Sequence, residues 1–325
     1  PTLKLLNKWM NLYDNWNFNN PYGSMLRFFH ITGGCFLAIG KRYSKGMKTI
    51  DPRIPFIEIR GSSTGKSEGN QISMKFIENL TRLKTIKEGE LKQLFTVSNL
   101  IDKYNKQLYD NIGTLFTDEA LLGELEEANN RAGMEILRNV RPGVLISSLF
   151  CYSDEGKTLF NSRSSFRENT MSIFHQAMNT FGSPQNNLIS RTKTQGSQLK
   201  NYSPVSWGIV STHLNERTMQ EILPHGMFQR SLVNIDKEED IHEARIANWS
   251  IDAGTLFHDK VETGDKELLE LATEYSEFIE HCRNTTITFR ETKELREQIE
   301  KVGPQLFSMA YERLKRLFPE NYDLT

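Results

Sequence analysis

The chain has 325 residues, 38% of them hydrophobic, which is enough to bury the core of one large domain or two smaller ones. Forty Lys and Arg against 41 Asp and Glu leave a net charge of −1, so no overall field draws the protein to nucleic acid or to a membrane, and any such contact must be local. Cys35, Cys151 and Cys282 are far apart with no CxxC pair, and the seven histidines show no HExxH or i, i+4 pairing; this argues against a structural zinc and for a reducing compartment, so the cytoplasm is the expected location.

Residues 1–50 are aromatic around Trp9, Trp16, Phe18, Phe28 and Phe29 and are expected to form a helical segment lying on the core. The apolar stretch from Phe28 to Ile39 contains His30, Thr32 and two glycines and is too short to span a bilayer, so it reads as a core helix and no membrane association is expected. No charged segment followed by a cleavage site marks a signal peptide.

Ile54-Pro55-Phe56-Ile57-Glu58-Ile59 then reads as a strand running straight into Gly61-Ser62-Ser63-Thr64-Gly65-Lys66-Ser67. A strand that enters a tight turn ahead of a helix points successive backbone N–H groups at one concave spot beside the helix N-terminus, and that spot suits phosphate. Lys66 would bring a cation to the β- and γ-phosphates and Ser67 a hydroxyl to Mg²⁺. Ile72, Phe76, Ile77 and Leu80 recur at helical spacing behind the loop. The full pattern has a glycine five positions before Gly65, where Arg60 stands, with Gly61 displaced by one. An ordinary Gly/Ser-rich turn is the competing reading.

A phosphate loop calls for a second element that holds Mg²⁺ and activates water. Val144 to Tyr152 is a β-rich apolar run ending in Ser153-Asp154-Glu155, the pattern of a central parallel strand buried on both faces. Ligands of open α/β sheets sit off the carboxyl ends of strands, which would bring these acids beside Lys66. Asp154 is assigned to the Mg²⁺ shell and Glu155 to polarising the attacking water; an acidic helix cap is the alternative.

Between Glu168 and Glu216 there is no acidic residue. Within that stretch, residues 188–202 read as a β-ribbon turning at Gln195-Gly196 and carrying Arg191, Lys193 and Lys200, a candidate contact for a nucleic-acid backbone, with Tyr202 beside it. A solvated basic hairpin without a partner is the rival. Val205 to Thr212 reads as a strand finishing in Ser211 and Thr212, whose hydroxyls would reach a γ-phosphate or the lytic water; a strand ending in an ordinary Ser/Thr turn is the alternative. After a helical pattern at Met219, Ile222 and Leu223, Phe228 to Ile235 reads as a further core strand with Arg230 at its mouth. Arg230, with Arg217 in reserve, is the candidate to reach the γ-phosphate of a neighbouring subunit; a surface salt bridge is the alternative for either.

Taken in this order, the motifs resemble the P-loop ATPase domain of replication proteins from phages, plasmids and other mobile elements, the helicase partner often joined to a primase. The resemblance covers roughly residues 25–310 and rests on the Gly61 to Ser67 loop, Ser153-Asp154-Glu155, the Ser211-Thr212 strand end and Gly226-Met227-Phe228-Gln229-Arg230. Thr117-Asp118-Glu119-Ala120-Leu121-Leu122 also looks like a helix that this family places ahead of its acidic strand. What the resemblance implies is an α/β P-loop NTPase fold of RecA/AAA type, three layers around a mostly parallel sheet, with helical additions at both ends. It further implies ATP and Mg²⁺ as cofactors, a hexamer-type ring, single-stranded or forked DNA as partner, and a hairpin projecting into the ring's channel.

From Asp240 onward two amphipathic helical patterns follow, one through Leu268, Leu269, Leu271, Ala272, Tyr275, Phe278 and Ile279, the other from Leu295 to Leu317. The expected division is thus a helical segment 1–50, an ATPase core 51–239 and a helical region 240–325. Two other activities use the same loop. A small-molecule or nucleic-acid kinase would need an acceptor-binding lid, and no arginine-rich lid lies near Ser211; a nucleotide-switched scaffold of a mobile element or defence system would assemble on ATP without fast turnover.

Overall fold

A computed structural model describes residues 2–15, 20–45, 48–50, 52–61, 65–92, 107–111, 123–129, 135–142, 148–154, 156, 188–193, 196–201, 206–214, 228–235, 257–285 and 293–317. In chain order these form helices α1 (Thr2–Asn15) and α2 (Pro21–Ala38), the small antiparallel pair β1 (Tyr43–Lys45) and β2 (Lys48–Ile50), strand β3 (Phe56–Ile59), and helices α3 (Lys66–Arg82) and α4 (Glu88–Lys92). Strand β4 (Gln107–Asn111), the antiparallel pair β5 (Gly123–Asn129) and β6 (Glu135–Pro142), and β7 (Ser148–Ser153) come next. The pair β8 (Leu188–Lys193) and β9 (Gly196–Asn201), strand β10 (Ser206–Ser211), a 3₁₀ turn at Phe228–Arg230, β11 (Leu232–Ile235), α5 (Phe257–Asn284) and α6 (Lys293–Leu317) complete the series.

The centre is a five-stranded, all-parallel sheet in the order β11-β3-β10-β7-β4. Numbered by their place in the chain, its strands run 5-1-4-3-2, so the strand that precedes the phosphate-loop motif lies inside the sheet and is separated from the acid-tipped β7 by β10 alone. The register brings β3, β10 and β11 out level, Ile59 pairing with Ser211 and with Ile235, while β7 ends two residues short of β10, Ser153 pairing with Ile209. All carboxyl ends therefore open on one edge, where a parallel α/β sheet places its ligands. β3, β10 and residues 149–153 of β7 are buried, which is why they appear in the sequence as continuous apolar runs.

The N-terminal segment is built into this unit. Asn20 caps α2 by accepting a hydrogen bond from the Gly23 backbone N–H at 2.9 Å, with Pro21 at the first helical position. α2 lies on the sheet, its His30 ring edge-on to Phe56 and Tyr152, and it contacts β3, β10, β7 and β11. Trp9 of α1, Phe28 of α2, Phe76 of α3 and Tyr275 of α5 meet in one aromatic cluster, with Phe76 5.2 Å from Trp9 and 5.4 Å from Tyr275. The Tyr275 hydroxyl donates to Thr32 Oγ1 at 3.1 Å. Burying such side chains contributes about 1.5–3 kcal/mol each, which explains why α1, with Trp9, and α2, with Phe28, belong with the sheet. The compact unit runs from residue 1 to 283 and a second from 284 to 325, so the break falls inside the helical C-terminal stretch.

His30 shows what this packing does to a titratable group. Its ring is fully buried, with Nδ1 2.9 Å from the Ile54 carbonyl oxygen and 3.1 Å from Ser206 Oγ. A carbonyl only accepts, so Nδ1 carries a proton, and it is burial that keeps the ring neutral. Burial, partly offset by the Ile54 bond, pushes its pKa down from 6.5 to about 4. Because the folded value lies below the unfolded one, the associated stability is complete above pH 6.5 and is lost as pH falls towards 4, about 3 kcal/mol in all. His30→Gln should flatten the decline in urea-unfolding free energy between pH 6.5 and 4.5; an unchanged slope would remove His30 as its source.

Three expectations need correction. The run Phe228–Ile235 is not one core strand. Residues 228–230 form a 3₁₀ turn, and β11 starts at Leu232 on the edge of the sheet, with Leu232, Val233 and Ile235 exposed; an apolar run signals a strand but does not say whether both its sides are covered. The basic ribbon pairs Lys193 with Gly196, so Gly196, expected in the turn, belongs to strand β9. Leu269 is 44% exposed, because the buried stripe Leu268, Leu271, Ala272, Tyr275, Ile279 and Cys282 leaves it about 100° round the helix. Strand β4 and the β5/β6 pair, both between the two main motifs, have no counterpart in the sequence reading. Gln107-Leu108-Tyr109-Asp110-Asn111 is short and polar at both ends, and the period-2 signal needs a longer window.

Candidate functional site

The motif residues gather where β3 hands the chain to α3. Arg60 donates its backbone N–H to the Ser211 carbonyl at 3.0 Å, extending the β3/β10 ladder one residue past the strand. Arg60 therefore still belongs to the sheet, and the turn begins at Gly61, which accounts locally for a glycine displaced by one from the usual pattern. Gly65 takes φ 74°, a left-handed conformation costly for any residue with a Cβ, and Lys66 starts α3 immediately behind it. Lys66 Nζ donates to the Gly61 carbonyl at 3.1 Å, so the ammonium folds back across the mouth of the loop. Lys66 is 8% exposed and Ser67 is half-buried. Ser62, Ser63 and Thr64 lie outside the described residues.

One turn along α3, Asn70 makes the link to the second motif. Its Nδ2 donates to Asp154 Oδ1 at 2.5 Å, and its Oδ1 accepts from Arg27 at 3.1 Å. The helix that starts with Lys66 is thereby tied to the acid-tipped end of β7, as the sequence motifs require if the two are to face one ligand. Asp154 is half-buried at the carboxyl edge, and Glu155 lies outside the described residues.

Beneath the loop is a buried ion pair. Arg27 of α2 and Glu58 of β3 meet at 2.6 Å with both side chains fully buried. The same guanidinium donates to the carbonyl oxygens of Gly23 at 3.2 Å and Lys66 at 3.1 Å. Glu58 also accepts from Asn20 and, at 3.3 Å, from Asn234 of β11. Burial pushes the Glu58 carboxyl up, but the charge and hydrogen bond of Arg27, the charge of Arg60 and the Asn20 bond outweigh it and hold the group below the usual range. Burial lowers Arg27, and Glu58 more than restores it. Gly69 makes the approach possible: a Cβ there would fall 2.0 Å from the Tyr13 hydroxyl and 3.0 Å from Arg27 Cζ. Arg27, Arg60 and Lys66 are thus three buried cations, and the described carboxylates around them are Glu58, the half-buried Asp154 and the exposed Glu68 in the first turn of α3.

The remaining candidates are placed as follows. Ser211 is buried and its hydroxyl donates to the Thr212 carbonyl at 2.9 Å, while Thr212 is half-buried at the carboxyl edge. Arg230, half-buried, precedes β11, and Leu232 N donates to the Pro55 carbonyl at 2.9 Å. That is the amino edge of the sheet, so a strand length of roughly 13 Å or more separates Arg230 from the carboxyl edge of its own chain. In the β8/β9 register Arg191 pairs with Gln198, Ile189 with Lys200 and Lys193 with Gly196, which puts Arg191, Lys193 and Lys200 on one face of the ribbon. Arg217, Tyr202, the Thr117–Leu122 segment and the pattern at Met219, Ile222 and Leu223 lie outside the described residues. No group of three or more His, Cys, Asp or Glu positioned for a metal occurs among the described residues, nor any helix long and apolar enough to cross a membrane.

Sequence reading missed Arg27, Glu58 and Asn70. Two of them carried a signal: an arginine inside the apolar α2 and a glutamate inside the apolar β3 are charges where charges are rarely left unpaired. Asn70 carried none, being one polar residue among several on α3. The chain matches no protein-family model, and no curated protein is detectably similar to it.

Proposed function

We propose that the protein is a Mg²⁺-dependent ATPase of the P-loop type that couples hydrolysis to movement along, or remodelling of, nucleic acid. The observation that carries this reading is the Asn70–Asp154 hydrogen bond, which ties the helix begun by Lys66 to the strand end bearing Asp154. The strand order supports it further. With β10 alone between β3 and β7, the loop and the acid stand about two strand spacings apart, roughly 9.5 Å. That gap suits a polyphosphate, with Thr212 at the tip of the intervening strand.

In this reading Gly61, Ser62, Ser63, Thr64 and Gly65 present backbone donors to the phosphates, Lys66 supplies the cation and Glu155 orients the attacking water. Ser67 and Asp154 are hard oxygen donors of the kind Mg²⁺ takes, and they would hold the ion delivered with the nucleotide. When bound, that ion neutralises charge on the β- and γ-phosphate oxygens. Arg230, remote from its own loop, serves the γ-phosphate of a neighbouring copy in a hexamer-type ring. The single-faced basic ribbon of Arg191, Lys193 and Lys200 tracks the backbone of single-stranded or forked DNA, with a primase domain or partner as the associated activity.

The test is ATP hydrolysis by the purified chain with and without single-stranded DNA. Stimulation of several-fold is expected, weakening steeply with salt because each phosphate contact releases counterions. Replacing Arg191, Lys193 and Lys200 together by Ala should abolish the stimulation and leave the DNA-independent rate. Phosphate transfer to a small acceptor would instead make the protein a kinase, and ATP-driven assembly with negligible turnover would make it a scaffold.

A further inference from the structure

We infer that Asn70 is a positioning residue for Asp154: it fixes the orientation of that carboxylate towards the metal ion, and is itself fixed by the Glu58–Arg27 pair. The inference rests on the nucleotide-site reading and adds to it a residue that no part of the phosphate-loop pattern specifies.

The amide's orientation follows from chemistry. A guanidinium only donates and a carboxylate only accepts, so the Asn70 atom 3.1 Å from Arg27 is the oxygen and the atom 2.5 Å from Asp154 is the nitrogen. Asn70 is fully buried, and Arg27 is locked by Glu58 at 2.6 Å and by the carbonyls of Gly23 and Lys66. The line of contacts therefore runs from Glu58 on β3, through Arg27 on α2 and Asn70 on α3, to Asp154 beyond β7. It touches the loop helix at Lys66 on the way. A carboxylate with one oxygen held at 2.5 Å is restrained from swinging about its last bond, and a ligand carboxylate restrained in this way meets a small, geometrically strict cation at lower cost than a mobile one. If the amide served only to staple α3 to β7, any variant that kept the fold would keep its metal dependence.

The experiment compares the full chain with Asn70→Ala and with Asn70→Leu, which keeps the branched skeleton of the side chain and is equally unable to donate. Two quantities are read. One is the affinity for a fluorescent ATP analogue in EDTA; the other is the Mn²⁺ affinity of the nucleotide complex, followed by electron paramagnetic resonance. Loss of an outer partner of a ligand typically costs 10- to 100-fold in metal affinity, so Mn²⁺ affinity should fall by about 10-fold or more while affinity in EDTA stays within about twofold of wild type. Arg27→Lys, which keeps the charge opposite Glu58 but is too short to hold Asn70 as well, should weaken Mn²⁺ in the same sense and carries the test if the Asn70 variants do not fold. Unchanged Mn²⁺ affinity, or equal losses with and without metal, would overturn the inference alone. A wild-type chain that binds no nucleotide, or binds it equally after Lys66→Ala, would overturn the site reading and the inference with it.

Discussion

Glu58→Ala is expected to lower folding stability by about 3–5 kcal/mol, because it leaves the Arg27 guanidinium charged and fully buried with no counter-ion. That is a large share of the 5–15 kcal/mol by which domains are stable, so urea unfolding should show a markedly lower midpoint or a chain that no longer folds. Arg27→Ala should behave alike for the mirror-image reason. A double replacement by apolar residues of similar size, Arg27→Met with Glu58→Leu, should recover most of the loss, since a buried pair contributes little net stability over a well-packed apolar substitute. The double variant is the informative one for function. It restores burial but not the bonds from Arg27 to the Lys66 carbonyl and to Asn70, so nucleotide turnover should stay low in a folded protein. Equal stability of wild type and Glu58→Ala would show that the pair is not buried in solution. The pH dependence has a definite sign. The Glu58 carboxyl is held below its usual value of 4.5, so its contribution is present above pH 4.5 and is lost as pH falls through the folded value. Of these two groups, His30 is the one that acts in the window from 6.5 down to 4.5.

How much of this was legible in the sequence depended on how local each signal was. The α/β class and the strand–loop–helix at Ile54–Leu80 were legible because one run carries apolar continuity, punctuation by glycine and a helical period. β7 and β10 were legible because burial on both faces writes itself as unbroken apolar residues. The side on which β11 is open was not legible, because exposure depends on what a strand lies beside and not on its own composition. Strand order was equally hidden: nothing in Phe56–Ile59 or Ser206–Ser211 says that they pair, or that β4 takes the far edge after a long crossover. Within the site, the residues whose type names their chemistry, Lys66 and Asp154, could be picked out one by one. Asn70 acquires meaning only from Arg27 and Asp154, residues 43 and 84 positions away in sequence.

Lys66→Ala should reduce ATP hydrolysis by about 10²-fold or more, the usual cost of removing one preorganised group from a developing charge, and should weaken nucleotide binding in parallel. The fold should hardly notice. The Lys66 ammonium donates across the loop to Gly61 at 3.1 Å; a bond of this kind contributes roughly 0.5–1.5 kcal/mol, and relief from burying the ammonium at 8% exposure partly offsets its loss. Lys66→Met keeps the stem and drops only the charge, so it should be at least as stable as wild type and equally inactive. Stability retained or gained as function is lost is the pattern of a residue kept for chemistry and not for packing. Glu155→Gln should part the two activities the other way, leaving nucleotide affinity near wild type while hydrolysis stops. Fluorescence polarisation with a labelled ATP analogue and phosphate release, run on the same preparations, resolve the cases. Wild-type affinity in Lys66→Ala would mean that the ammonium folded over Gly61 is a loop brace and nothing more. Wild-type turnover in Glu155→Gln would move the activation of water to another group at the carboxyl edge, leaving the Lys66, Asn70 and Asp154 arrangement in place.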